Sequence, residues 1–111
     1  MPLPQVTADI DEKEMDQILS NATAAANLLK AIGHEGRLMI LCHLASGEKS
    51  VTELESLLSA RQAAVSQQLS RLRLEGLVEP RREGKTIYYS LTDDRSRAII
   101  ELVYELFCQN E

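Results

Sequence analysis

The chain has 111 residues, 44% of them hydrophobic, with 12 Lys and Arg against 17 Asp and Glu and a formal net charge of −5. That length suits one domain spanning 1–111 with a modest core that a dimer would enlarge, and the apolar share argues against a mostly disordered chain. The acidic total argues against a polycation that coats DNA indiscriminately, but it leaves room for a local basic surface.

A long helical pattern starts among Asp9, Asp11 and Glu12, where acids suit a helix N-terminus. It runs, as one helix or two, through the alanine-rich stretch to Ile32, and Gly33 is a good stop. A second helix, from about Glu35 to Ala45, sets Leu38, Leu41, Cys42 and Ala45 on one stripe. Ser50-Val51-Thr52-Glu53 reads as a capping box, followed by a short helix with Val51, Leu54, Leu57 and Leu58 on one face. The turn Ser59-Ala60-Arg61 leads to another helix with Val65, Leu69 and Leu72 inward, closed by Gly76. Two short helices so joined predict a helix-turn-helix. Leu77–Arg82 and Lys85–Leu91 then read as a two-stranded β-hairpin around a Glu83-Gly84 turn, with Pro80 tolerable only on an edge strand. Thr92 or Asp93 caps a last helix over about 94–109, whose stripe holds Ile99, Ile100, Val103, Tyr104, Phe107 and Cys108. The fold class is mainly α with a hairpin wing.

Charge is unevenly placed along these elements. Residues 1–20 carry net −4 and residues 93–111 net −3, whereas Arg61, Arg71, Arg73, Arg81, Arg82 and Lys85 against Glu75, Glu79 and Glu83 make residues 61–92 net +3. A basic segment is often only a solvated face. Here it coincides with a helix-turn-helix and hairpin, whose second helix enters the major groove while the hairpin reaches the backbone or minor groove. Turned away from Val65, Leu69 and Leu72 are Gln62, Ala63, Ser66, Gln67, Ser70 and Arg71, with Arg73 beyond. Gln can pair with adenine and Arg with guanine, while Ser and Ala meet phosphate or a thymine methyl. Arg81, Arg82 and Lys85 suit phosphates. Singly, such Gln and Ser residues suit any solvated helix; the set beside a cationic hairpin points to double-stranded DNA.

The run Ser50-Val51-Thr52-Glu53-Leu54, Ala64-Val65-Ser66-Gln67-Gln68-Leu69, Glu75-Gly76-Leu77-Val78, Arg82-Glu83-Gly84-Lys85 and Tyr88-Tyr89-Ser90-Leu91, with Arg37-Leu38-Met39-Ile40-Leu41 upstream, resembles the ArsR family of winged-helix repressors over about residues 25–92. Gln68 departs from the His of many members, and Arg61 replaces the usual Ser or Thr cap of the recognition helix. The resemblance implies a winged helix-turn-helix homodimer, joined through the N- and C-terminal helices (about 10–32 and 94–109), on an inverted-repeat operator. The apolar stripe of the last helix, Ile99, Ile100, Val103, Tyr104 and Phe107, supports that interface.

Many members of the family sense metals, but this chain lacks the expected ligand patterns. Leu41-Cys42-His43 replaces a Cys-x-Cys, residues 93–111 contain no His, and the adjacent Cys42 and His43 diverge by about 100° around a helix. His34 reads as an exposed helix-start residue, and no metal site or other cofactor is expected.

Nowhere does an apolar run reach the ~20 residues of a membrane helix, and the acidic Met1–Ser20 stretch lacks a secretory signal's apolar core. The expected compartment is the cytoplasm, where Cys42 and Cys108 would be free thiols, a redox pair or metal ligands. Their stripe positions also suit small buried apolar residues. The patterns Arg37–Leu44 and Tyr104-Glu105-Leu106-Phe107-Cys108 are similar to the BigR/SqrR dithiol subgroup of the family. That similarity implies a Cys42–Cys108 sensor of reactive sulfur species or oxidants, controlling sulfide-detoxification genes, with DNA released on disulfide or polysulfide bridging. A metal-responsive repressor and a non-DNA dimerisation module stand as alternatives. An enzyme is not expected, since no nucleophile–base grouping or phosphate-binding glycine loop is present.

Overall fold

The structure, a computed structural model, describes residues 11–92 and 94–108, with only the backbone of Gln62. A single helix, α1 (Glu12–Ile32), takes up the alanine-rich stretch that left one helix or two open. The Asp11 carboxylate accepts the Glu14 N–H at 2.8 Å, and Glu12 and Glu14 fill the first turn, where negative charge meets the positive end of the helix dipole. At the other end a Cβ on Gly33 would stand 2.9 Å from the Leu29 carbonyl oxygen, so only glycine lets the chain leave this closely. Asp9, the other acid at the expected start, lies outside the described residues. Of this long helix only Ala31 and Ile32 are buried.

α2 (Glu35–Ala45) starts at His34, whose Nδ1 accepts the Gly36 N–H at 3.1 Å. It packs against all four other helices and the sheet, so its buried surface is wider than one stripe: Ile40 and Leu44 are fully buried beside Leu41, while Leu38, Cys42 and Ala45 are partly covered. The capping box is formed as expected, with Ser50 Oγ accepting the Glu53 N–H and Glu53 Oε1 accepting the Ser50 N–H. Behind it, α3 (Val51–Leu58) buries Leu54. Leu57, expected inward, is half exposed. At 100° per residue it lies about 60° to one side of Leu54, whereas Val51 and Leu58 both lie to the other side, over the core.

Ser59 takes a left-handed conformation (φ 51°), and α4 (Gln62–Leu74) follows with Val65, Leu69 and Leu72 buried as expected. Arg61 occupies its N-cap and gives no side-chain hydrogen bond. The helix closes in a Schellman arrangement: the Gly76 N–H donates to Arg73 O and the Leu77 N–H to Leu72 O, with Gly76 at φ 77°.

The strands β2 (Val78–Glu83) and β3 (Thr86–Leu91) pair antiparallel from Val78↔Leu91 to Glu83↔Thr86. The turn therefore centres on Gly84-Lys85, one residue later than the expected Glu83-Gly84, because the positive φ that tightens this turn is at Gly84 (63°), its first central position. A further strand of two residues, β1 (Lys49–Ser50), lies on the other side of β3. The expected two-stranded wing is thus a three-stranded sheet of order β1-β3-β2, and Pro80 sits on its edge strand.

α5 (Asp94–Phe107) starts beyond Thr92, whose hydroxyl donates to Gly76 O rather than capping; Asp93, the other candidate cap, and Gln109, its expected end, lie outside the described residues. The first half of α5 rests on α2: Ser96 and Ile100 are buried, and Arg97 donates to Ala45 O at 2.7 Å. Ile100, expected in an interface between copies, is therefore part of the protomer's own core at 2% exposure. The second half passes the edge of the body, leaving Leu102, Tyr104, Leu106 and Phe107 exposed. Among the described residues no helix is long and apolar enough to cross a membrane.

Candidate nucleic-acid interface and cysteine pair

α3, its turn and α4 form the helix-turn-helix, and the burial of Val65, Leu69 and Leu72 decides which side of α4 faces out. Ala63, Gln67, Ser70, Arg71 and Arg73 are exposed, Ser66 is half-buried, and Gln62 is the first residue of the helix. Arg71 reaches along its own helix to Glu75 at 3.3 Å, an exposed pair that leaves the guanidinium able to turn toward a phosphate. Leu74, 84% exposed, borders a shallow cleft with Ser70 and Arg73 at the end of the helix. Its apolar side chain falls outside the polar set that marks the outer face of α4 in the sequence.

In the wing, Arg82 and Lys85 are exposed and their side chains have no hydrogen-bond or ion-pair partner among the described residues. Arg81 differs from the phosphate contact expected of it. Its Nε and Nη2 donate to the two Glu48 carboxylate oxygens at 2.9 and 2.8 Å, and its Nη1 donates to Glu83 at 2.7 Å. Its guanidinium also lies over the Tyr88 ring, 4.7 Å from the centroid. Two carboxylates hold this guanidinium still more firmly protonated, and its hydrogen bonds keep the Glu48 carboxyl below its ordinary range. Arg81 thus fastens the wing to the loop ahead of β1. Glu48 lies 33 residues away along the chain, beyond the reach of any local pattern.

A polar cleft separates the wing from the helix-turn-helix. It is lined by Thr52 at the start of α3, Ser66 on α4, and Lys85 and Thr86 at the hairpin tip. Three hydroxyls around one ammonium suit a phosphate oxygen. Ser66 and Lys85 are legible in the sequence, whereas Thr52 and Thr86 join them only through the way the hairpin folds back.

Cys42 and Cys108 are both free thiols. Cys42 is half-buried in a groove between α2 and α5, bordered by Ala45, Ser46, Ile100, Glu101 and Tyr104. Cys108 follows the last turn of α5, its N–H donating to Tyr104 O at 2.8 Å, and its side of the chain is exposed. Burial pushes the Cys42 thiol up, and the negative charge of a Cys108 thiolate pushes it further. α5 packs along α2, so that Tyr104, one turn before Cys108, borders the groove holding Cys42. Among the described residues no three His, Cys, Asp or Glu side chains group to hold a metal ion, and His34 is engaged in capping α2.

Residues 34–80 match the family model described as bacterial regulatory protein, arsR family. The biofilm growth-associated repressor of Agrobacterium fabrum is 47% identical over 93% of this chain and 88% of its own length. The transcriptional activator HlyU of Vibrio cholerae is 44% identical over 92% of each chain. The solved structure of reduced HlyU from V. cholerae superposes with a TM-score of 0.81 at 45% identity, covering 84% of this chain and 98% of that one. These relatives are regulators of transcription rather than enzymes. With the winged helix-turn-helix in place and the likeness extending over nearly the whole chain, the protein belongs to the arsR family of bacterial regulatory proteins and is a DNA-binding regulator of transcription.

Proposed function

We propose that the protein is a homodimeric repressor that holds an inverted-repeat operator while Cys42 and Cys108 are thiols and releases it when they are bridged. The observation that carries this reading is the packing of α5 along α2, which puts Tyr104, one turn before Cys108, on the groove that holds Cys42. The exposed apolar residues of α1 and the outer half of α5 (Leu19, Leu29, Leu102, Leu106 and Phe107) supply the face on which two copies meet. Ile99, Val103 and Tyr104 flank that face. In each copy α4 enters the major groove, with Gln67 and the neighbouring Gln62, Ala63, Ser66, Ser70, Arg71 and Arg73 against bases and phosphates, while Arg82 and Lys85 hold the backbone.

The effector is a reactive sulfur species or an oxidant. The exposed Cys108 thiolate attacks the outer sulfur of a small hydropersulfide, taking it as Cys108–S–SH and releasing the carrier thiolate. The Cys42 thiolate then attacks the inner sulfur, forming Cys42–S–S–Cys108 and expelling hydrosulfide. Longer sulfur bridges arise if further sulfane sulfur is added first. A covalent tie between α2 and α5 shifts the arm that joins the copies, and two α4 helices that must meet grooves about 34–36 Å apart lose register with a small rotation. Coupling of about 1–3 kcal/mol already changes operator affinity 5–150-fold. Sulfide detoxification is the gene set such an effector would serve, in the cytoplasm.

The experiment measures binding to the protein's own promoter after persulfide, peroxide or zinc, and maps the Cys42–Cys108 link by mass spectrometry. Persulfide should release the parent protein but neither Cys42→Ser nor Cys108→Ser. Equal release of the variants overturns the dithiol reading, and release by zinc alone favours a metal sensor. Because one close relative is a repressor and another an activator, a promoter–reporter assay fixes the sign of regulation.

A further inference from the structure

α1 is 21 residues long, about 30 Å, yet it touches the body chiefly through its last turn, where Ala31 and Ile32 are buried. That turn, together with Leu28 against the core and the shallow gap that Ala24 and Asn27 share with Glu75, Leu77 and Arg95, sets how α1 leaves the protomer. A helix ends with four carbonyls that lack helical partners. Here the Gly33 N–H takes Leu29 O and the His34 N–H takes Ile32 O. The remaining two go to one side chain: Arg37, in the first turn of α2, donates from Nε to Ala31 O at 2.6 Å and from Nη2 to Lys30 O at 3.2 Å. A cation there also meets the negative end of the α1 dipole.

The same guanidinium has a third partner. Its Nη1 donates to Gln68 Oε1 on α4 at 3.3 Å, across 31 residues of sequence. Gln68 is half-buried beside Gln67, whose side chain faces out. The fit is close, since a Cβ on Gly36 would stand 3.3 Å from the His34 ring and 3.8 Å from Gln68 Cγ. One planar fork thus joins the end of α1 to the middle of α4, a geometry that lysine's single ammonium does not reproduce.

We propose that Arg37 and Gln68 are positioning residues that lock the reading helix α4 at a fixed angle to α1. The inference rests on the reading of α1 as the arm between copies and α4 as the helix in the groove. Operator discrimination then depends on a hydrogen bond that touches no DNA, because losing it lets α4 rock in its seat while each copy stays folded and paired. Gln68 at this position keeps the acceptor that Arg37 requires.

The test uses full-length protein, the tightest duplex that the parent selects from random double-stranded DNA, and a mixed-sequence duplex as the non-specific probe. Gln68→Ala should bind the selected duplex about tenfold more weakly, with non-specific affinity, dimerisation and melting temperature unchanged. Gln68→Glu, which keeps an acceptor for Arg37, should retain most of the parent's preference. Arg37→Lys should match Gln68→Ala, and the double variant should lose no more than either single one. A Gln68→Ala preference within twofold of the parent overturns the proposal. So do additive losses, which would mark Gln68 as a direct base contact. A parent protein that binds the selected duplex as a monomer would instead overturn the dimeric reading, an outcome scored separately by sedimentation.

Discussion

Phe107→Ala is the sharpest perturbation of the proposed interface between copies. Phe107 lies in the last turn of α5 and is 80% exposed in the protomer; Leu106 and Leu102, 66% and 51% exposed, lie further round the same helix. Fully burying a side chain of this size is worth about 1.5–3 kcal/mol, so the exposed part of Phe107 offers about 2 kcal/mol per copy. A two-fold dimer counts that residue twice, which makes about 4 kcal/mol and a dimer weaker by about 10³-fold. Sedimentation equilibrium over nanomolar to micromolar protein should show that shift, and promoter binding should fall with it because two half-sites need two joined copies. Ile100→Ala is the contrasting change. Ile100 is 2% exposed inside the protomer, so its truncation should cost about 2–5 kcal/mol of folding stability through a cavity. A Phe107→Ala dimer within threefold of the parent's dissociation constant would refute the reasoning and place the interface elsewhere.

Lys85→Ala and Arg82→Ala should each flatten the salt dependence of promoter binding by about 1.8 in log–log slope, one phosphate contact in each of two copies. Arg81→Ala should weaken binding without changing that slope and should not add to the effect of Glu48→Ala, since the two close one clamp; a slope flattened as by Lys85→Ala would make Arg81 a phosphate ligand after all. Iodoacetamide at neutral pH should label Cys108 before Cys42, whose raised pKa leaves less thiolate, and the Cys42 rate should keep rising with pH beyond the ordinary thiol range. In alkaline solution Cys108→Ser removes the thiolate charge that pushes Cys42 up, so it should speed Cys42 labelling there, and slower labelling would contradict that coupling. Gln67→Ala should relax discrimination at one base position by about 1–3 kcal/mol and leave the salt slope intact; unchanged base preference would exclude Gln67 as a reader.

Local patterns carried most of the fold. The capping box at Ser50 and Glu53, the inward set of α4 and the Gly76 stop each depend on residues within one or two helical turns, and each formed as its spacing implies. What the sequence hid was set by tertiary placement. Two residues, Lys49 and Ser50, carry no alternation to announce a strand, and they become β1 only because β3 has a free edge beside them. Ile100 and Phe107 share one helical stripe at a spacing of seven residues. Only the position at which α5 leaves the body decides that the first is core and the second is surface.

The same distinction governs the charges. The +3 of residues 61–92 looked like a row of six available cations, but Arg71 is held by Glu75, and Arg81 by Glu48 and Glu83. Sequence could suggest the first of these pairs, four residues apart on a helix, and not the bond to Glu48. Among the described residues Arg61, Arg73, Arg82 and Lys85 have no ion-pair partner, and Arg71 has only an exposed pair to leave, so four or five cations in each copy could meet DNA. Eight to ten phosphate contacts per dimer would give a log–log salt slope of about −7 to −9, so attraction to arbitrary duplex falls steeply toward physiological salt. Affinity must then depend more on groove contacts made in register by two α4 helices, and such binding is sensitive to a small rotation at the α1, α2 and α5 junctions. A protein that gripped the backbone strongly would tolerate that rotation. The dependence on groove contacts in register and the packing of α5 along α2 both support the proposed release of DNA by a modest covalent change at one end of α5.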